Sequence, residues 1–234
     1  MRELGVPVYN DARAIERSVD KSMTSFLLHL AGIPTPPAST TESAAQARRV
    51  VMRAAAADQR LVLKPLFGSQ GKGLRQVGQV DGKFAALPPL EEYGRLAYLQ
   101  QYVESATRPG FDWRVLVVGG RAVAAMRRVS KNWVRNVAQG ARCEPQPITG
   151  SSMLEIADIA VQATTALGLD YGGVDLLPRD GDSPAAHAAQ VIEVNGVAAW
   201  RGLQTVTSFD IAAHLVDDLL TRKLAVVGSF GRVA

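Results

Sequence analysis

The chain has 234 residues, of which 47% are hydrophobic, 21% charged and 6% aromatic, with 21 Gly, 12 Pro and a single Cys. That length holds one large domain or two small ones, and the composition excludes intrinsic disorder and collagen-like repetition. Cys143 lacks a partner cysteine, no run approaches the ~18 apolar residues of a membrane span, and MRELGVPVYNDARA lacks a signal-peptide core, so a cytoplasmic protein without a membrane partner or disulfide scaffold is expected.

Asp20 is placed to cap a helix in which Met23, Phe26, Leu27 and Leu30 recur at three- and four-residue spacing before Gly32 and Pro34. IPTPPAS reads as a connector, Thr41 opens an Ala- and Arg-rich helix to about Ala57, and LVLKPLFG reads as a buried strand entering a glycine loop. LRQVGQV and Lys83-Phe84 flank Asp81-Gly82 as a hairpin, LAYLQQYV is a strand, and DWRVLVV pairs with RAVAAMRRV across Gly119-Gly120. Ser152 and Glu155 have capping-box spacing ahead of a helix that ends at Gly168. YGGVDLLPR and AAQVIEVNG read as strands around the polar loop DGDSPAAHA, and FDIAAHLVDDLL as a closing helix before a loosely ordered tail. Helices and hairpins interleave without a βαβ rhythm, which predicts an α+β fold with more than one sheet.

Charge is unevenly distributed. The formal net charge is +4, yet residues 113–143 carry Arg114, Arg121, Arg127, Arg128, Lys131, Arg135 and Arg142 with no acid, whereas the segment from 144 to 221 is strongly acidic. The split fits cationic groups meeting phosphates and carboxylates meeting a metal, or simply two surface faces of opposite sign. It does not describe a uniform nucleic-acid surface, so no nucleic-acid partner is expected despite a pI near 9.4.

Two constellations carry chemistry. The loop Gly68-Ser69-Gln70-Gly71-Lys72-Gly73 follows a strand bearing Lys64; its glycines suit backbone approach to a phosphate, or a plain turn. It matches neither the Walker A pattern nor the dinucleotide fingerprint. In VIEVN, alternation puts Glu193 and Asn195 on one face and Ile192 and Val194 on the other, with Asp175 on the strand expected to pair with it. Two carboxylates and an amide form an oxygen-only set suited to Mg²⁺ or Mn²⁺ on nucleotide phosphates; the alternative is a solvated edge hairpin.

Together LGVPVYNDARAIERSVDK, AGIPTPP, VLKPLFGSQGKGL, LQQYVE, DWRVLVVGGRAVAAMRR, NWVRN, GGVDLL and VIEVNG resemble the ATP-grasp superfamily, and within it the RimK-like amino-acid (alpha-L-glutamate) ligases. The resemblance implies an ATP-grasp fold in which two α+β subdomains grip the nucleotide. It also implies an ADP-forming carboxylate-amine ligase that makes an acyl phosphate from a carboxylate and ATP and lets an amine attack it. Residues 1–18 would be a remnant of, or connection to, a largely absent N-terminal domain, with 19–103 and 104–224 as the two subdomains and 225–234 as the tail.

Position by position, the resemblance makes Lys21 and Lys64 phosphate contacts and Gly68, Ser69, Gly71 and Gly73 parts of a closing loop. It makes Gln101, Tyr102 and Val103 the adenine hinge and Asp112 the ribose-contacting acid. It places Arg114, Arg128 and Asn136 near the triphosphate, the last two beside the transferring phosphoryl group as catalytic residues, and makes Asp175, Glu193 and Asn195 the Mg²⁺ ligands. The partners implied are ATP, an amino acid such as glutamate, and a small-molecule or cofactor carboxylate acceptor. A homo-oligomer is compatible with the sequence, and an ATP-binding module without catalysis is the alternative function.

Gln101 departs from the family's frequent Glu. The segment Gly196 to Gln204 is closest to the branch that adds glutamate to tetrahydromethanopterin-type one-carbon cofactors. Arg127, Arg135, Trp200 and Arg201 are expected near the acceptor. His29, His187 and His214 show no zinc or triad spacing, Cys143 shows no nucleophile signature, and Trp113 and Trp133 read as packing residues.

Overall fold

The computed structural model describes residues 6–105, 107–178 and 189–224. The polar loop with His187 and the C-terminal tail lie outside them. In chain order the elements are α1 (Ala12–Val19), α2 (Lys21–Leu30), β1 (Ala38–Thr41), α3 (Ala44–Ala56), β2 (Arg60–Lys64), β3 (Arg75–Val80), β4 (Lys83–Ala85), β5 (Ala97–Gln101), β6 (Gly110–Val118), β7 (Arg121–Ser130), β8 (Arg142–Pro145), α4 (Ser151–Leu167), β9 (Tyr171–Pro178), β10 (Ala189–Asn195), α5 (Arg201–Gln204) and α6 (Ile211–Asp218). No helix among the described residues is long and apolar enough to cross a membrane.

Two five-stranded antiparallel sheets result, ordered β1-β5-β2-β3-β4 and β10-β9-β6-β7-β8. In the first, Leu61, Leu63 and Leu99 pack with Ala47, Val51 and Ala54 of α3. Strand alternation therefore turns Val62, Lys64 and Gln100 to the opposite face. In the second, Val115, Val117, Val174 and Leu176 pack under α4, while Leu116, Val118, Ala124 and Met126 meet Leu203, Ile211 and Leu215 of α5 and α6. The end of that second face not covered by α5 and α6 is where the charged residues of β6, β7 and β9 emerge.

Local chemistry explains most boundaries. Asp20 caps α2 by accepting from the Ser22 and Met23 amides at 2.8 and 3.0 Å. Asp81 and Gly82, and Gly119 and Gly120, all take positive φ, as two-residue turns matching strand twist require.

Several expectations need correction. Ser43, not Thr41, caps α3. α4 begins at Ser151 after Gly150, with no side-chain cap, so Ser152 lies inside the helix and the capping-box reading of Ser152 and Glu155 fails. The connector runs into β1, whose Ala38 and Ser39 it supplies and which pairs with β5. α2 buries Leu28 but exposes Met23, Phe26 and Leu30, because its inward face is set by packing on both sheets rather than by its most apolar stripe. Ahead of α2, α1 packs on α2, α4 and β10.

Candidate active site

Between the sheets lies a cleft with a volume of about 100 Å³. Of the residues singled out from the sequence, it brings together Lys21, Lys64, Gly68, Ser69, Gly71, Gln101, Tyr102, Val103, Asp112, Arg128, Asn136, Asp175 and Glu193. Gly73, Arg114 and Asn195 stand outside its wall.

The floor is built by cross-strand register. Asp112 on β6 faces Arg128 on β7, and Arg114 on β6 faces Asp175 on β9. The Arg128 guanidinium donates through Nε and Nη2 to both Asp112 oxygens at 2.7 and 2.8 Å and reaches Asp175 Oδ2 at 3.1 Å. Arg114 donates through Nε to Asp175 Oδ1 and through Nη2 to Oδ2, the latter at 2.8 Å. Each of the four is at least nine-tenths buried, and two carboxylates offset two guanidiniums, as burial of charge demands. Burial works to raise the Asp175 carboxyl, yet Arg114 and Arg128 together hold it below its ordinary value. Burial raises the Asp112 carboxyl above its ordinary value, against the opposing pull of Arg128. Arg114 therefore lies behind Asp175 rather than at the cleft, where the resemblance had put it, and Gly173 leaves room for it: a Cβ there would come within 3.2 Å of Arg114 Cδ. Likewise Asp112 is committed to Arg128.

Glu193 stands opposite Asp175, and Asn195 opposite Gly173. The pairing skips Ile192, a bulge that breaks the simple alternation. Val191 and Val194 both enter the core, while Ile192 turns with Glu193 to the cleft, against the expectation that Ile192 shares Val194's face. The bulged strand is tied down from outside, since the Val191 amide donates to Pro34 O at 2.8 Å and Thr35 Oγ1 donates to Val191 O at 2.9 Å. Asn195 donates its amide nitrogen to Gly173 O at 3.3 Å, which leaves its oxygen as the ligating end. Asp175, Glu193 and Asn195 thus offer hard oxygen donors on adjacent strands, a set that fits a hexacoordinate divalent ion completed by phosphate or water. Among the described residues no cluster of three or more His, Cys, Asp or Glu side chains suits a metal.

The roof comes from the first sheet. Lys64 Nζ donates to Gln100 Oε1 at 2.6 Å; Lys21 Nζ donates to Gly68 O at 2.7 Å and sits 3.7 Å from Glu193 Oε1. Burial pushes the Lys64 ammonium down to about 8; the Lys21 charge acts in the same direction, and Glu193 and Asp175 oppose it. The glycine loop folds onto residues 134–136: a Cβ on Gly71, whose φ is +69°, would lie 2.5 Å from Asn136 Oδ1 and 2.6 Å from Val134 Cγ1. At the hinge, the Gln101 and Tyr102 amides donate to Pro37 O and Arg60 O, and Val62, Leu177, Ile192 and Trp133 supply apolar walls. Trp133, read from sequence as packing, packs edge-on to Tyr102 at that wall.

Arg135, expected from the sequence near the acceptor, is a further cleft residue. It is 7% exposed, and its Nε lacks a hydrogen-bond partner among the described residues. Its signal in the sequence is position alone, one residue before Asn136 in NWVRN.

Two clamped sheets closing on a cleft of lysines, arginines and carboxylates define the ATP-grasp fold. The fold is shared with D-alanine–D-alanine ligase of Bacillus anthracis complexed with ATP, at TM-score 0.67 and 17% identity over 98% of this chain and 74% of that one. The ATP-grasp ligase PsnB, solved with a minimal precursor, Mg and ADP, matches at TM-score 0.66 and 25% identity over 95% of this chain; this chain spans 64% of that chain's length. Residues 18–219 match the RimK-like ATP-grasp domain, and the chain belongs to that family. Among curated relatives, a tetrahydromethanopterin:alpha-L-glutamate ligase of Methanococcus maripaludis is 36% identical over 92% of this chain and 70% of its own length.

Proposed function

We propose that this chain is a Mg²⁺-dependent, ADP-forming ligase that joins an amino acid, glutamate, to a carboxylate acceptor through an acyl phosphate. The observation that carries the reading is the meeting, in one cleft, of Lys21, Lys64, Arg128 and Arg135 with the paired carboxylates Asp175 and Glu193. Phosphoryl transfer needs alignment and charge neutralisation more than a protein nucleophile. The lysines and Arg135 bind the triphosphate, and Asp112 fixes the Arg128 guanidinium so that it meets the transferring phosphoryl group without reorganising. Gln101, Tyr102 and Val103 seat the base against the apolar wall, and the loop around Gly71 with Asn136 excludes water from the phosphates. Asp175, Glu193 and Asn195 hold Mg²⁺, which when bound neutralises phosphate charge. The relatives named for tetrahydromethanopterin support a pterin-type cofactor acceptor, and Trp200 and Arg201 line a separate depression beyond Asn195 suited to its recognition.

The test is ADP release by the purified chain with Mg²⁺, ATP and glutamate across a panel of carboxylate acceptors. Release that requires both acceptor and glutamate supports the reading; Mg²⁺·ATP binding with no turnover on any acceptor supports a nucleotide-binding module instead.

A further inference from the structure

The segment before α2 reaches into the site. Asn10 is 6% exposed and spends its whole amide on two strands. Its Nδ2 donates to Tyr171 O at 2.7 Å and to Gly196 O at 2.8 Å, and its Oδ1 accepts from the Asp170 and Tyr171 amides at 2.5 and 3.0 Å. Ser18 completes the hold: its Oγ accepts from the Gly196 amide at 3.2 Å and donates to Ile15 O at 2.8 Å. Both backbone groups of Gly196 are thus held by side chains from the chain's first turns. Gly196 immediately follows Asn195, and Tyr171 opens the strand that carries Asp175. A side chain at Gly196 is excluded, because a Cβ would lie 2.4 Å from Ser18 Oγ.

We propose that Asn10 and Ser18 are positioning residues that fix the start of the Asp175 strand, four residues ahead of Asp175, against the end of the strand that closes on Asn195, and so tune metal affinity from outside the cleft. The proposal rests on the reading of Asp175, Glu193 and Asn195 as metal ligands. Neither residue lines the cleft. A carboxamide is required at position 10 because only it presents two donors and an acceptor oxygen at one site; Asn10→Asp places carboxylate oxygen against the Tyr171 and Gly196 carbonyls. The neighbouring Tyr9 anchors the segment independently, stacking on Tyr171 at 5.2 Å and donating its hydroxyl to Asp218 at 2.7 Å, so residue 10 is held in place while its hydrogen bonds are altered.

The experiment is electron paramagnetic resonance titration of Mn²⁺ into the full chain with saturating β,γ-imido-ATP, on wild type, Asn10→Asp and Ser18→Ala, alongside circular dichroism and metal-free nucleotide binding. Outer contacts that orient ligands are worth roughly 10- to 100-fold in metal affinity, so Asn10→Asp is expected to weaken Mn²⁺ by about that factor and Ser18→Ala by less, in the same direction. Metal-free nucleotide affinity stays within about twofold of wild type, which a general loss of folding does not allow. Mn²⁺ affinity unchanged in the folded variants overturns the proposal; if Asn10→Asp does not fold, Ser18→Ala decides alone. Wild type that binds no Mn²⁺ with the nucleotide overturns the metal reading itself.

Discussion

Glu193 stands directly across from Asp175 in the β9–β10 pairing, yet the two carboxylates are held in different ways. Asp175 is buried between Arg114 and Arg128, whereas Glu193 is partly exposed and meets Lys21 at 3.7 Å. Paired substitutions separate chemistry from stability at this point. Glu193→Gln is expected to abolish turnover while changing stability by less than about 1 kcal/mol, the range of partly exposed ion pairs. Asp175→Asn is expected to abolish turnover and also cost about 3–5 kcal/mol, because it leaves the buried Arg114 guanidinium without its carboxylate, while Arg128 keeps Asp112. Urea denaturation beside the ADP-release assay checks both.

Arg135 and Arg114 divide in the same manner. Arg135 has a buried Nε without a partner, so Arg135→Met is expected to leave stability nearly unchanged and to weaken ATP by roughly 10- to 100-fold, the worth of about 1.5–3 kcal/mol for a charged hydrogen bond. Arg114→Met, by contrast, strips Asp175 of a bidentate partner and is expected to lower the unfolding midpoint first. Calorimetric ATP titration and thermal denaturation distinguish them.

Lys64 gives the pH prediction. Its folded pKa, about 8, lies below its ordinary value, so between pH 8 and about 10.5 the unfolded chain binds more protons than the folded one. Stability of the ligand-free protein should therefore rise with pH across that window on this group's account, and the full burial penalty applies below it. Triphosphate beside Lys64 restores the ammonium, so ATP binding at pH 9 is expected to take up protons. Calorimetry in buffers of different ionisation enthalpy measures the uptake, and Lys64→Met should remove it.

Gly71 tests the loop. Its positive φ and the contact with Asn136 leave no room for a side chain, and an L-residue there costs about 1–2 kcal/mol. Gly71→Ala is expected to raise the KM for ATP by roughly 5- to 30-fold through loss of the closed loop, with the unfolding midpoint little altered. Steady-state kinetics at varied ATP reads this directly.

What the sequence made legible was local chemistry. Asp20 as a cap, Asp81-Gly82 and Gly119-Gly120 as turns, and the Glu193–Asp175 strand pair all follow from residue type and spacing. Features set by long-range pairing were not legible. β1 is ASTT among prolines, with no apolar alternation to announce an edge strand. The bulge at Ile192 depends on how Pro34 and Thr35 hold Val191. The commitment of Asp112 to Arg128, and of Arg114 to Asp175, depends on β6 register with two different neighbours. The reach of Asn10 to Gly196 spans most of the chain.

The most direct measurement is calorimetric titration of ATP into the purified chain with and without Mg²⁺, for wild type and Glu193→Ala. One saturable site per chain is predicted, strengthened by Mg²⁺ in wild type and indifferent to Mg²⁺ in Glu193→Ala. Absence of a saturable site, or a Mg²⁺ enhancement equal in both proteins, contradicts the assignment of this cleft.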